Sequence, residues 1–427
     1  MKDLLHPKTI AVIGASNNRK KVGYSLMTNL KNFKGDAIPI NLKGTPILGK
    51  KCYKSVLDIP KKVDMALIAV PAPVVPAVVK ECVDKKIKNI VILSAGFSEV
   101  GNKEAEKKLL EITKGKARIL GPNCFGIVVP SLNIDTTFAL LTPKDGDIAF
   151  ISQSGALWAA IAIYSGIHHF GFSYFISLGN MIDLDFSDFI EYLDKDKNTR
   201  SIILYIERLV DGRHFMNTVK KCKKPVIAIK AGRSEAGKRA ALSHTGSLAG
   251  SYETYDAAFR QSGVILVETL EEAFDKAKFL QRPQGNRMVI VTNAGGPGTL
   301  TADYCEKHGF DVVKLPKNLK FEKLPRAWSH NNPIDIVGDA DADRFKYVFD
   351  ILVKNKGFFD AAIVVMTQQK MINVKGTAKE IISFKKKLKK PLVVCWMTDA
   401  DKTLLEKEGI PCFFEPEKAV KSFILNQ

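Results

Sequence analysis

Of the seven histidines in this 427-residue chain, one stands in a setting suited to covalent chemistry. His244 lies in GRSEAGKRAALSHTGSLAGS, between the apolar run PVIAIKAG and a helical stretch beginning near Gly246, and reads as a loop residue. An imidazole can carry a phosphoryl group on one ring nitrogen while the other donates a hydrogen bond that fixes the tautomer and balances the developing positive charge. That bond calls for a carboxylate. Glu207 ends the run SIILYIE, expected to lie parallel to PVIAIKAG, and so belongs to the sheet edge that carries the His244 loop. A phosphorylated ring also needs N–H groups around its oxygens, and two glycine-lined helix starts offer them. In SQSGALWAAIAIYSG, Ser154 reads as a helix cap with Gly155 behind it. In TNAGGPGTLTADYCEKHG, Gly296, Pro297 and Gly298 read as lying before the helix, with Pro297 suited to the first turn. Each start supplies roughly half a positive charge with no charged side chain nearby, so the pair reads as a charge-free cradle for one phosphoryl group. On spacing alone, His244 as a loop residue capping a turn remains an open alternative.

A second set of small and polar residues lies near the amino terminus. TIAVIG runs into GASNNRKKVG and then a helical stretch, which puts Gly14, Ala15, Ser16 and Gly23 where N–H groups at a helix start can meet a phosphate. The pattern is not GxGxxG. AIPIN ends in Asn41 with Lys43 just beyond, where an NAD site has an acidic residue for the ribose, so a ligand with an extra phosphate, such as CoA or NADP, suits it better. AVPAP (69–73), SAGFSE (94–99) and GPNCFG (121–126) place small residues and prolines at strand ends, where open α/β sheets take ligands; each alone also serves as an ordinary βα turn. Cys124 has no His/Asp arrangement about it and reads as packing or as a neighbour of a CoA thiol. The other six histidines fall in connections or at helix ends. Seven scattered cysteines, with no CxxC pair and no zinc-type Cys/His spacing, predict neither a metal site nor a disulfide framework.

Positioning such residues is the work of parallel sheets covered by helices, and the chain is patterned for them. Short β-branched runs alternate with amphipathic stretches throughout: TIAVIG, MALIAVP and IVILSAG; then DIAFIS, FSYFISLG, SIILYIE and PVIAIKAG; then RMVIVTN, AAIVVM and PLVVCWM. Turn-rich breaks at LLTPKDGD and QRPQGN divide three α/β units of ordinary domain size. No apolar run approaches the roughly 20 residues that span a bilayer, and MKDLLHPKTI lacks the features of a secretory signal, so a soluble cytoplasmic protein is expected. The formal net charge of +19 sits mostly on lysines in helix-like segments such as FKKKLKK. It reads as a solvated surface, able to attract anionic substrates or dock an acidic subunit, rather than as an aromatic-interleaved nucleic-acid patch.

Taken together and in order, AVIGAS, PINLKG, AVPAP, SAGFSE, GPNCFG, SQSGAL, SLGN, YIE, KAGRS, SHTGS, TNAGGPG and NPIDI resemble the NDP-forming acyl-CoA synthetases. That family includes succinyl-CoA synthetase and the ADP-forming acetate–CoA ligases, and the resemblance covers nearly the whole chain. It implies a Rossmann-like CoA-binding domain over 1–130, a phosphohistidine-bearing flavodoxin-like ligase domain over 143–282 and a third, flavodoxin-like ligase domain over 286–427. It also implies CoA phosphate and nucleotide contacts at Gly14, Ser16 and Lys43, and CoA contacts at Val70, Pro71, Ser94 and Asn123. Phosphohistidine falls on His244, its carboxylate on Glu207, and phosphate-binding helix starts on Ser154, Gly155 and Gly296 to Gly298. YIER departs from the family, which more usually has Gly where Arg208 stands. No segment resembles an ATP-grasp domain, so the implied reaction, acyl-CoA, phosphate and ADP to acid, CoA and ATP, would need a partner β subunit, as α2β2, holding ADP or ATP and Mg2+. Two rival expectations are a non-catalytic CoA- or nucleotide-binding regulator and an NADP-dependent oxidoreductase; the latter explains neither SHTGS nor the third unit.

Overall fold

The computed structural model describes residues 1–168, 170–245, 251–278, 283–398, 400 and 402–424, and of residues 241–245 the backbone alone. The chain forms two compact units, Met1–Ala273 and Phe274–Gln427. Among the described residues no helix is long and apolar enough to cross a membrane.

The first unit holds two sheets. In the first, β1 (Thr9–Ile13), β2 (Asp36–Ile40), β3 (Met65–Ile68), β4 (Asn89–Ile92) and β5 (Arg118–Leu120) run parallel in the order β2-β1-β3-β4-β5. β1, β3 and β4 are buried along their whole length, as expected of strands covered on both faces. The order reverses between β1 and β3. The loops after those two strands therefore diverge and leave a crevice at the carboxyl edge.

The second sheet comprises β6 (Ile127–Val129), β7 (Ile134–Asp135), β8 (Asp145–Ser152), β9 (Phe172–Ser177), β10 (Ser201–Ile206), β11 (Val226–Lys230) and β12 (Ile265–Val267), in the order β12-β11-β10-β8-β9-β6-β7. β6 pairs antiparallel with β9 and β7. Residues 127–129, expected within the first domain, thus pair in the second sheet, because the turn after Asn123 carries the chain across. The two sheets are tied by Arg118, whose guanidinium reaches Asp183 at 2.8 Å and Asp188 at 3.1 Å, and by Asn29, whose amide donates to Thr137 and Ala139 carbonyls.

The second unit repeats this plan. β13 (Arg287–Thr292), β14 (Asp311–Val312), β16 (Ala361–Thr367), β17 (Leu392–Met397) and β18 (Cys412–Phe413) are ordered β14-β13-β16-β17-β18, with β15 (Ile334–Asp335) beside β13. Read from the other end, β18-β17-β16-β13-β14 matches β12-β11-β10-β8-β9 strand for strand. The register agrees as well: Ser152 pairs with Tyr205 as Thr292 pairs with Val365, which makes Glu207 the counterpart of Thr367.

Candidate functional site

The carboxyl edge of the first sheet brings four of the expected residues into one line. Gly14 follows β1 at φ +96°, and a Cβ on it would stand 2.3 Å from Ala69 O and 3.2 Å from Val70 Cγ1. Only glycine allows the loops after β1 and β3 to approach this closely. Val70 O accepts from Ser94 Oγ at 2.5 Å, and Ser94 O accepts from Asn123 N at 3.0 Å. Gly14, Val70, Ser94 and Asn123 therefore lie side by side along the switch-point crevice. Gly23 does lie in the first turn of helix Val22–Asn29. Gly14 and Ser16, expected at that helix start, precede it in a longer loop in which the Ser16 hydroxyl accepts from Asn18 N. Pro71 is exposed after β3, and Lys43 is exposed past β2, where its N–H donates to Asn41 Oδ1. Cys124 is packing: its thiol is 4% exposed, bonds Ile92 O, and burial pushes it up to about 12.

The carboxyl edge of the second sheet carries Ser154, Gly155 and Glu207. Helix Leu157–Ile167 begins after Ala156, so Ser154 is not its cap. The turn ahead of the helix is instead closed by Ser152, whose Oγ donates to Ser154 O (2.7 Å) and accepts from Ser154 N (3.0 Å), a local bond that competes with capping. A Cβ on Gly155 would stand 2.6 Å from Phe125 Cβ, so the turn passes too close to the first domain's last loop for any other residue. The helix is pinned by Trp158, fully buried and stacked on Phe175 at 3.8 Å between centroids. Glu207, 7% exposed, follows β10, and its backbone N–H donates to Gln153 Oε1 at 2.6 Å; Arg208 N–H does the same at 2.9 Å. One side chain thereby fixes Glu207 relative to the Ser154–Gly155 turn.

His244 was expected in a loop. The backbone forms a helix over Glu235–Thr245, because EAGKRAAL is rich in good helix formers and the Ser234 hydroxyl, accepting from Gly237 N at 3.1 Å, starts it. The helix passes within 8 Å, Cα to Cα, of the turn Ser98–Val100 of the first domain. The side chain of His244 lies outside the described residues.

In the second unit the corresponding turn is built alike: Thr292 Oγ1 donates to Ala294 O and accepts from Ala294 N. Gly296, Pro297 and Gly298 are not ahead of the helix but inside its first turn, since it spans Gly295–Lys307. Nor is this start charge-free, because a Cβ on Gly295 would stand 3.1 Å from Asp335 Oδ2.

Two buried polar residues, Asn180 and Lys230, and the half-buried Arg208, noted in the sequence only as a departure from the family, organise the first unit. Asn180, from SLGN, donates its amide to Glu99 Oε2 (2.6 Å), Glu106 Oε1 (2.7 Å) and Ser98 Oγ (3.2 Å), accepts from Asn123 Nδ2 (3.3 Å), and receives Arg208 on its carbonyl oxygen at 2.6 Å. Burial pushes the Glu99 carboxyl up, but the Asn180 amide and the Gly96 and Phe97 N–H groups outweigh it and leave the carboxyl below its ordinary value. Burial lowers the basicity of Arg208, opposed by Glu106 and Glu207. Lys230, the register partner of Ile206, is 3% exposed with its ammonium 4.5 Å from the Tyr255 ring centroid. The available signal was position: a lysine closing a strand buried on both faces, and an amide following a glycine at a strand end.

Burial lowers Lys230 from 10.5 to about 8, with Glu207 opposing. Between those values the folded chain binds fewer protons than the unfolded one, so stability rises with pH; below about 8 both states are charged and the burial cost is paid in full. Compared with Lys230→Met, the unmodified chain should gain on the order of 3 kcal/mol between pH 8 and 10.5. Thermal unfolding of both across that range measures it, and parallel curves would remove the buried cation from this account.

The CoA binding domain family matches residues 8–130, and the succinyl-CoA ligase like flavodoxin domain family matches residues 145–280. The acetate–CoA ligase (ADP-forming) II subunit alpha of Pyrococcus furiosus is 44% identical over 96% of this chain and 94% of its own length. The acetate–CoA ligase (ADP-forming) I of Archaeoglobus fulgidus is 43% identical over 99% of this chain, which spans only 62% of that protein. The structure of dinucleotide forming acetyl-coenzyme A synthetase 1 of Ca. Korarchaeum cryptofilum, in complex with phosphate and ADP, superposes with a TM-score of 0.91 at 37% identity, covering 99% of this chain and 95% of that one. On these likenesses the chain belongs to the ADP-forming acetate–CoA ligase family, over the stretch that the family's alpha subunits comprise.

Proposed function

We propose that the chain is the alpha subunit of an ADP-forming acyl-CoA ligase, with acetate as the first acid to test, working in the cytoplasm with an ATP-grasp β subunit as α2β2. CoA lies along Gly14, Ser16, Lys43, Val70, Pro71, Ser94 and Asn123. Phosphate attacks the thioester carbonyl, the C–S bond breaks and CoA leaves as its thiol. His244, oriented by Glu207, then takes the phosphoryl group from the acyl phosphate, releasing the acid, and passes it to ADP and Mg2+ on the partner. The Ser154–Gly155 turn receives its oxygens, and Gly296, Pro297 and Gly298 are a further phosphate-binding helix start of the second unit. Seven free cysteines suit a reducing compartment.

The observation that carries this reading is the Asn180 junction, which joins the Ser98–Glu99 and Asn123 loops of the first edge to Arg208, the residue after Glu207, on the second. One connected set of hydrogen bonds thus fixes the loops proposed for the thioester relative to those proposed for the phosphoryl group, which supports this reading. The test is reconstitution. The chain with an ATP-grasp subunit should form ATP from acetyl-CoA, phosphate and ADP, and the chain alone should form none. ATP made by the purified chain alone, or CoA binding with no phosphoryl transfer in any combination, overturns the proposal; the second result makes the chain a regulator.

A further inference from the structure

The two matching turns of the two units use their side-chain amides differently. Asn293, in the second unit, spends its carboxamide on its neighbour: Oδ1 accepts from Thr367 N at 2.9 Å and Nδ2 donates to Thr367 O at 2.9 Å. Gln153 occupies the same place in the first unit and grips the equivalent strand end, with Oε1 accepting from Glu207 N and Arg208 N. Its side chain is one methylene longer, and no carbonyl closes on its Nε2. The residue is only 6% exposed, yet Nε2 has no hydrogen-bond partner among the described residues and is not among their sealed atoms. A buried amide with its oxygen doubly bonded and its NH2 unused is costly unless water or a ligand takes the donors.

The direction of those donors follows from the anchoring. Gln153 N donates to Tyr205 O, and Oε1 is held beyond the end of β10, so the carboxamide spans the carboxyl ends of β8 and β10. That edge also carries the Ser154–Gly155 turn, which directly follows Gln153 in the chain, and the start of an 11-residue helix. An anion received by that helix start would meet a pair of N–H donors already oriented by the two bonds to Oε1.

We propose that Gln153 is a phosphate-binding residue, donating from Nε2 to an oxygen of the phosphate or transferring phosphoryl group at the Ser154–Gly155 turn. This rests on the proposed function and adds a specific ligand to it.

Two variants separate donation from scaffolding. Gln153→Glu keeps an acceptor for the Glu207 and Arg208 N–H groups and replaces the donor by a carboxylate oxygen. Gln153→Asn recreates the self-satisfied pattern of Asn293. Calorimetric titration of the full chain with inorganic phosphate should show binding weakened roughly 10- to 100-fold in both, the scale of one charge-assisted hydrogen bond, with CoA affinity and thermal midpoint unchanged. A protonated carboxyl donates where an ionised one repels, so the Gln153→Glu defect should shrink as pH falls from 8 to 5.5, while the Gln153→Asn defect stays constant. Phosphate affinity within twofold of the unmodified chain in both variants overturns the assignment. So does an equal loss of CoA binding and thermal midpoint, which would make Gln153 a scaffold only. Failure of the unmodified chain to bind phosphate or to turn over with its partner sinks the proposed function itself, and this inference with it.

Discussion

Replacing His244 by asparagine is expected to abolish ATP formation by the reconstituted enzyme, a loss on the order of 10⁴-fold or more, as for removal of a covalent nucleophile. The imidazole is the only nucleophile of the SHTGS segment with two nitrogens, one to bond phosphorus and one to be held by a carboxylate, and asparagine keeps polarity and approximate size without either. The loss should be confined to one half of the reaction. Attack of phosphate on the thioester precedes the histidine, so phosphate-dependent exchange of labelled CoA into acetyl-CoA should survive in His244→Asn. CoA affinity should survive too, because Gly14, Val70, Ser94 and Asn123 line the edge of the other sheet. Incubating the unmodified enzyme with labelled phosphate and acetyl-CoA should leave an acid-labile, base-stable label on this chain, and the variant should carry none. A label that persists in the variant, or one found on another histidine of this chain, moves the carrier elsewhere.

Much of this arrangement was legible because its signals are local. Continuous β-branched runs such as TIAVIG and MALIAVP fix strands buried on both faces, and the glycines after them fix where loops can pass closely. Helix boundaries were read less well. Ser154 looked like a cap, but the neighbouring Ser152 hydroxyl closes the turn first; His244 looked like a loop residue, yet Ser234 and the Ala-rich segment behind it extend a helix to Thr245. Both outcomes turn on which of two nearby hydroxyls or helix formers wins, and propensity decides that weakly. Gln153, Asn180 and Lys230, which were missed, and Arg208, which was noted only as a departure from the family, act through partners 28 to 82 positions away or through the adjoining strand. Nothing in their immediate neighbours marks them. Only strand order and register, once the β8 and β13 arrangements are compared, show that a glutamine and an asparagine in equivalent places do different work.

Glu207→Gln should cost about 10²–10⁴-fold in turnover, the range for a positioned acid–base or orienting group, and leave CoA affinity unchanged. The backbone N–H of residue 207 is held by Gln153 whatever the side chain, and the amide has the shape of the carboxylate, so the strand end and the turn beside it keep their places. What disappears is charge. An imidazole forming an N–P bond develops positive charge on its ring, which a carboxylate stabilises and an amide does not, so the defect should fall on kcat and spare the KM for acetyl-CoA. A second consequence identifies the electrostatic origin. Glu207 opposes the burial that lowers Lys230, so removing its charge should drive Lys230 further down, and the pH-dependent gain in stability that begins near pH 8 should begin lower. Turnover within threefold of the unmodified enzyme, at a pH where Lys230 has shifted, would show that the charge is present but is not used by the phosphoryl-carrying residue.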